Sequence, residues 1–186
     1  MARQTFELID QDPEFTKVVR YFRLSDYAAW VTGTLFLPLG LFGLEKYEPA
    51  SGAKIGRPPA VHLRAAGVLG FIGGFLIAYK RSVLRFKGQT ENGREVKKDR
   101  YEIKKLLSQN LNPYGASSLT PYLQDVASRN SKDSHMMLGL IPWFNFVNHQ
   151  NHGIDLKKYY EVREGEEKWG ISLSPPKVGE VNPIDQ

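Results

Sequence analysis

Two uncharged apolar stretches constrain this chain more than anything else in it. Tyr27 to Leu44, YAAWVTGTLFLPLGLFGL, runs for 18 residues without a charge. As a helix it is about 27 Å long, close to the hydrocarbon thickness of a bilayer. Ala65 to Tyr79 is uncharged for 15 residues and, extended back to Ala60, reaches 20, with His62 and Arg64 near its start. An Arg at that end snorkels to the headgroups, so the pair reads as an anchor rather than as a site for a quinone or an anionic lipid. Tyr27 and Trp30 enter the first stretch, and Tyr79 closes the second beside Lys80 and Arg81, the places where interfacial aromatics and cations belong. Helices of a soluble core keep a polar stripe, and these have none. The pattern predicts a mostly α membrane protein whose spans, 27–44 and 60–79, form a two-span transmembrane helical hairpin. The Pro- and Gly-rich loop 45–59 is short enough to make the spans antiparallel.

Composition agrees once it is resolved along the chain. The mean hydropathy of −0.38 averages the two spans with a long polar remainder. With 186 residues and no cysteine, disulfide frameworks, thiol nucleophiles, Cys-ligated zinc and ordinary iron–sulfur clusters are excluded. The net charge of +5 is local. Lys80, Arg81, Arg85 and Lys87, then Arg94, Lys97, Lys98 and Arg100, make a dense basic run behind the second span. Fewer cations flank the other ends, so both termini are expected on the positive-inside face, with the run serving orientation and lipid headgroups rather than nucleic acid.

Small residues recur at Ala66, Gly70, Gly74 and Ala78, every fourth position of the second span, and at Ala29 and Gly33 in the first. Such a face lets another helix approach closely, and Pro38 is expected to kink the first span. Residues 1–26 read as an amphipathic arm. Asp12 would cap it, and Phe15, Val18, Val19 and Phe22 would form its apolar side, to lie on a membrane or dock on a protein. Ser25 or Asp26 would cap the first span. The arm is too acidic for a cleavable presequence, so an internal import signal fits better.

Residues 80–186 read as an extended, partly irregular helical extension. A stripe of Val96, Ile103, Leu106, Leu107 and Leu111 ends at Asn112-Pro113, and Thr120-Pro121 opens a second helix with Leu119, Tyr122, Leu123 and Val126 on one face. Met136 to Val147 is apolar but broken by Pro142, and the end of the chain is a Pro-rich tail. No chemistry-bearing constellation emerges. His149 and His152 stand at i, i+3, yet with only Asp155 and Glu161 nearby they read as a polar surface loop rather than a metal site. His135 has no partner, and Glu164, Glu166 and Glu167 sit in a charged, solvated run. Neither a dinucleotide fingerprint nor a Walker A lysine is present.

The block IDQDPEFTKVVRYFRLSDYAAW, the hairpin behind it, and the block from RYEIKKLLSQNLNPYG through LGLIPWFNFVNHQNHG together resemble the 21-kDa accessory subunit family of fungal mitochondrial NADH:ubiquinone oxidoreductase, respiratory complex I. The resemblance implies a supernumerary, non-catalytic subunit of the membrane arm, with no cofactor, no metal and no catalytic residue of its own. It would reside in the mitochondrial inner membrane with both termini in the matrix and the 45–59 loop in the intermembrane space. Its partners would be other membrane-arm subunits, met through the Ala66/Gly70/Gly74/Ala78 face, and phospholipids such as cardiolipin, met through Lys80, Arg81, Arg85 and Lys87. Trp143, Phe144 and Phe146, with Tyr159 and Tyr160, would drape over neighbours. A hairpin subunit of another inner-membrane assembly, such as a protein translocase, is the alternative, and a membrane-anchored enzyme using His149 and His152 with metal is a second.

Overall fold

The computed structural model describes residues 5–48, 58–134 and 144–173. Every regular element among them is helical: α1 (Phe15–Arg20), α2 (Leu24–Tyr47), α3 (Ala60–Phe86), α4 (Gly93–Ser108), α5 (Pro121–Ser134), α6 (Lys157–Tyr160) and a 3-10 turn at Glu167–Trp169. They gather into two compact units. Residues 18–83 form a hairpin unit, and residues 5–17 and 84 onward form the other.

In the hairpin unit, α2 and α3 have 24 and 27 residues. At 1.5 Å per residue they are about 36 and 40 Å long, enough to cross a bilayer with a turn to spare. Both outrun the uncharged stretches. The backbone N–H of Arg23 donates to Asp26 Oδ2 at 2.8 Å, so α2 starts at Leu24, with Asp26 closing the cap from inside the first turn rather than standing at it. α3 continues past Tyr79 because Lys80, Arg81 and Arg85 are good helix formers. Ser82 Oγ also anchors this turn to the carbonyl of Val18 at 3.0 Å. α2 runs unbroken through Pro38. In the most apolar 18 residues of α2 none is buried, and Phe36 and Leu39 stand 72% and 64% exposed. A soluble core helix would be mostly covered; these side chains are dressed for lipid or for another apolar helix.

The expected amphipathic arm is not what residues 5–26 form. α1 has six residues, of which Val18 is buried and Phe15 and Val19 are half-buried, and the apolar residues just beyond it are covered by protein. Val18, Tyr21 and Phe22 are buried, with Phe22 against the rings of Tyr27 and Phe75 at 5.7 and 6.2 Å. In the second unit, residues 5–10 lie against residues 86–88, Phe6 N–H donating to Gly88 O and Ile9 N–H to Phe86 O at 3.0 and 2.9 Å. Gly88 sits at φ 65°, and a Cβ there would lie 2.5 Å from Phe6 O, so the close approach of the two segments requires glycine. α4 lays Ile103 and Leu107 on Tyr159, with Ile154, Leu156, Tyr160 and Leu173 around them. α5 begins at Pro121 as the sequence leads one to expect, but Tyr122 and Leu123 remain 72% and 47% exposed while Leu119 and Val126 are half-buried, so its apolar face is only partly covered within this unit. His135, most of the apolar 136–147 segment and the Pro-rich tail beyond 173 lie outside the described residues.

Candidate functional site

Three places hold the residues with functional potential: the hairpin seam, the basic run and a polar network in the second unit. At the seam the two backbones nearly touch. A Cβ at Gly70 would fall 2.4 Å from Thr34 O, one at Gly74 2.4 Å from Trp30 O, and one at Gly33 2.7 Å from the Cα of Gly74. Trp30 Nε1 donates across the seam to Phe71 O at 3.0 Å, and its ring lies 5.1 Å from those of Phe71 and Phe75. Pro38 has no N–H to offer Thr34 O, its i−4 carbonyl, and that carbonyl is the one aimed at Gly70. Ala66 and Ala78 are buried on the same helix. The expectation that this face docks on another subunit is therefore corrected at Gly70 and Gly74: the chain's own first span occupies it. The signal was Gly33, spaced from Ala29 as the second span's glycines are from one another.

The basic run does not act as a block. Arg85 is buried and pairs with Glu95 at 3.3 Å, so it is removed from the lipid-facing set. Arg100 and Lys104 are buried on Glu166, which accepts from both. Arg81, by contrast, is half exposed, its Nε 3.3 Å from the fully buried Asp26, which turns the rest of the guanidinium outward. Lys80 and Lys87 are partly buried.

The polar network ties the N-terminal segment to elements far along the chain. His149 and His152, expected on a surface loop, are buried. His149 Nδ1 accepts from Asn151 N–H at 3.2 Å, and its Nε2 lies between Asp12 Oδ2 at 2.8 Å and Asn145 Nδ2 at 3.2 Å. Both nitrogens of His152 face acceptors, Asp10 and the carbonyl of His149, each at 2.9 Å. The two imidazoles stack at 4.9 Å, and Tyr114 covers His152 at 4.1 Å. Every ring nitrogen is thus engaged by protein, and the segment is not helical, which removes the i, i+3 geometry proposed for a metal. Asp10 also faces Lys17, which bonds Asp99 at 2.8 Å, and Asp99 accepts from Tyr159 at 2.7 Å.

Charges follow this wiring. Burial alone would raise the Asp10 carboxyl, but His152 and Lys17 hold it below its ordinary value. Burial would lower Lys17, yet Asp99 and Asp10 raise it. Burial and Asp99 push the Tyr159 phenol up, keeping it a donor. Glu166, which burial would raise, is brought down to about 2 by hydrogen bonds from Arg100 and Lys104. Sequence reading placed Glu166 in a solvated run and missed it; its partners lie more than 60 residues upstream. Chemically the network is a clamp, with its strong donors matched to acceptors of the same chain.

Of the aromatic contact candidates, Trp143 lies outside the described residues. Phe144 is half-buried, edge-on to Phe15 at 5.3 Å, and Tyr159 is buried in the core. Tyr160 packs beside it. Among the described ones, Phe146 alone is largely exposed, at 70%.

Comparison with known proteins adds a family. Residues 3–91 match the model of the NADH-ubiquinone oxidoreductase complex I 21 kDa subunit, and residues 100–182 match that of the C-terminal part of the same subunit. The NADH-ubiquinone oxidoreductase 20.9 kDa subunit of Neurospora crassa is 42% identical over 161 residues, covering 87% of this chain and 84% of its own.

Proposed function

The chain belongs to the 21-kDa subunit family of NADH-ubiquinone oxidoreductase, complex I, and from that premise we propose that it is a non-catalytic accessory subunit of the membrane arm that supports assembly and stability of the enzyme in the mitochondrial inner membrane. One observation carries the reading. The hairpin closes on itself through Gly33, Gly70 and Gly74 and turns apolar side chains such as Val31, Phe36 and Leu39 outward. A membrane unit preformed in this way needs no partner to fold and has a lipid-compatible surface left over for neighbours.

Both termini lie in the matrix in this proposal, since the cations concentrate in the last turns of α3 and just beyond it. Neighbouring membrane-arm subunits meet the outer surface of the hairpin and the exposed Phe146, and Lys80, Arg81 and Lys87 meet headgroups such as those of cardiolipin. The chain contributes binding surface and no reacting group. Depletion of the subunit tests this. The amount of assembled complex is expected to fall while NADH:ubiquinone turnover per assembled complex stays the same. Unchanged assembly with reduced turnover would contradict the proposal.

A further inference from the structure

α4 divides its residues into two opposite faces. At 100° per residue, Glu95, Asp99, Arg100, Ile103, Lys104 and Leu107 are the buried face. On the other side Arg94, Lys97, Lys98, Tyr101, Lys105 and Ser108 share an arc of about 100° that contains no acid. Arg94, Lys97 and Lys105 are exposed and have no ion-pair partner among the described residues. The acids of the helix are elsewhere: Glu95 and Asp99 are buried, and Glu102 is half-buried at the edge of the arc. Tyr101, 41% exposed in the middle of the arc, holds Trp169 edge-on at 5.5 Å, with the exposed Lys168 beside it.

We propose that this outward face of α4 is a docking surface for anionic phospholipid headgroups, its cations meeting phosphates and the Tyr101–Trp169 pair settling at the interface. The proposal rests on the reading of α2 and α3 as membrane spans. Three observations favour a bilayer over an acidic protein or a nucleic acid. The first cation, Arg94, follows the end of α3 by eight residues, so the chain tethers this helix within about 28 Å of the end of the second membrane-crossing helix. The stripe from Arg94 to Lys105 is about 17 Å long and nearly straight, a shape suited to a flat charged surface. Tyr and Trp beside Lys are the side chains that partition to the headgroup layer.

The test uses the full chain, whose lack of cysteine leaves a single S108C nitroxide as the only label. The chain is placed in nanodiscs of phosphatidylcholine alone or with phosphatidylglycerol. Power saturation reads whether the label sits at headgroup depth or in water. It is expected at headgroup depth only in the anionic discs, and in water at molar salt, where screening shortens to about 3 Å. At roughly fivefold per cation, R94Q/K97Q/K105Q is expected to weaken surface attachment about a hundredfold. These three side chains are exposed, so the fold should survive, and circular dichroism checks that it does. Equal water exposure in both discs overturns the proposal. So does a label that becomes shielded only within the assembled oxidoreductase, which would assign the face to a neighbouring protein, or on added RNA. Co-migration of the labelled chain with the complex reads the accessory-subunit proposal separately.

Discussion

Alanine placed at each glycine of α3 in turn separates the seam from the rest of the helix. At Gly70 and Gly74 the added Cβ lands 2.4 Å from a backbone carbonyl oxygen of α2, whereas at Gly67 and Gly73 nothing lies within 4 Å. Backbone oxygens in a helix cannot swing aside as a side chain end can, so the two helices must separate. Overpacking of this kind costs about 1–3 kcal/mol, and opening the seam loosens close Cα–H···O contacts worth about 0.5–1 kcal/mol each. At Gly67 and Gly73 the same change meets open space and gains up to about 1 kcal/mol of helix propensity. The two classes should therefore differ by about 2–4 kcal/mol, a factor of roughly thirty to a thousand in the closed-to-open equilibrium of the hairpin. The assay is SDS titration in mixed micelles, with energy transfer between dyes on cysteines introduced at Ser25 and Val83. G70A and G74A should open at lower SDS than the parent, and G67A and G73A at the same or higher. If G73A opened with G74A, the close approach of the backbones would not be what holds the spans together.

The seam also contains a polar tie: W30F deletes the donor to Phe71 O and should cost about 0.6–1.7 kcal/mol in the same titration, less than G74A. In the second unit, Glu166 is held from its ordinary 4.5 down to about 2. The stabilisation that it brings is complete above about pH 4.5 and is lost as the pH falls through 2. E166Q leaves Arg100 and Lys104 buried without their counter-charge, which should cost about 3–5 kcal/mol at neutral pH. Its thermal unfolding should also be flatter in pH across that window than the parent's.

The spans were legible because their signal is local: length, absence of charge and flanking aromatics all lie within one stretch. The start of α5 at Pro121 was legible for the same reason. The glycine spacing announced a close-packed face, but a repeat of four says nothing about which helix fills it. Only the matching Ala29–Gly33 step hinted that the partner was in the same chain. The network escaped because its pairs have no period. Asp10 meets His152 across 142 residues, and Asp12 meets His149 across 137, each between non-helical segments. The basic run misled for another reason. Charge density along a sequence carries no direction, and Arg85, Arg100 and Lys104 turn inward to Glu95 and Glu166, leaving Arg81, Arg94, Lys97 and Lys105 outside. The helical arc of α4 would have sorted Arg100 from Lys97, but no periodicity joins Arg85 to Glu95 across the turn between α3 and α4.

The measurement that bears most directly on the account is native electrophoresis of digitonin-solubilised mitochondria carrying a tagged full-length chain, with in-gel NADH oxidation as the second readout. The chain is predicted to migrate with the NADH-oxidising band and to remain there after the peripheral arm is stripped away, following the membrane arm. Migration as a free protein, in an assembly that does not oxidise NADH, or with the released peripheral arm would contradict it.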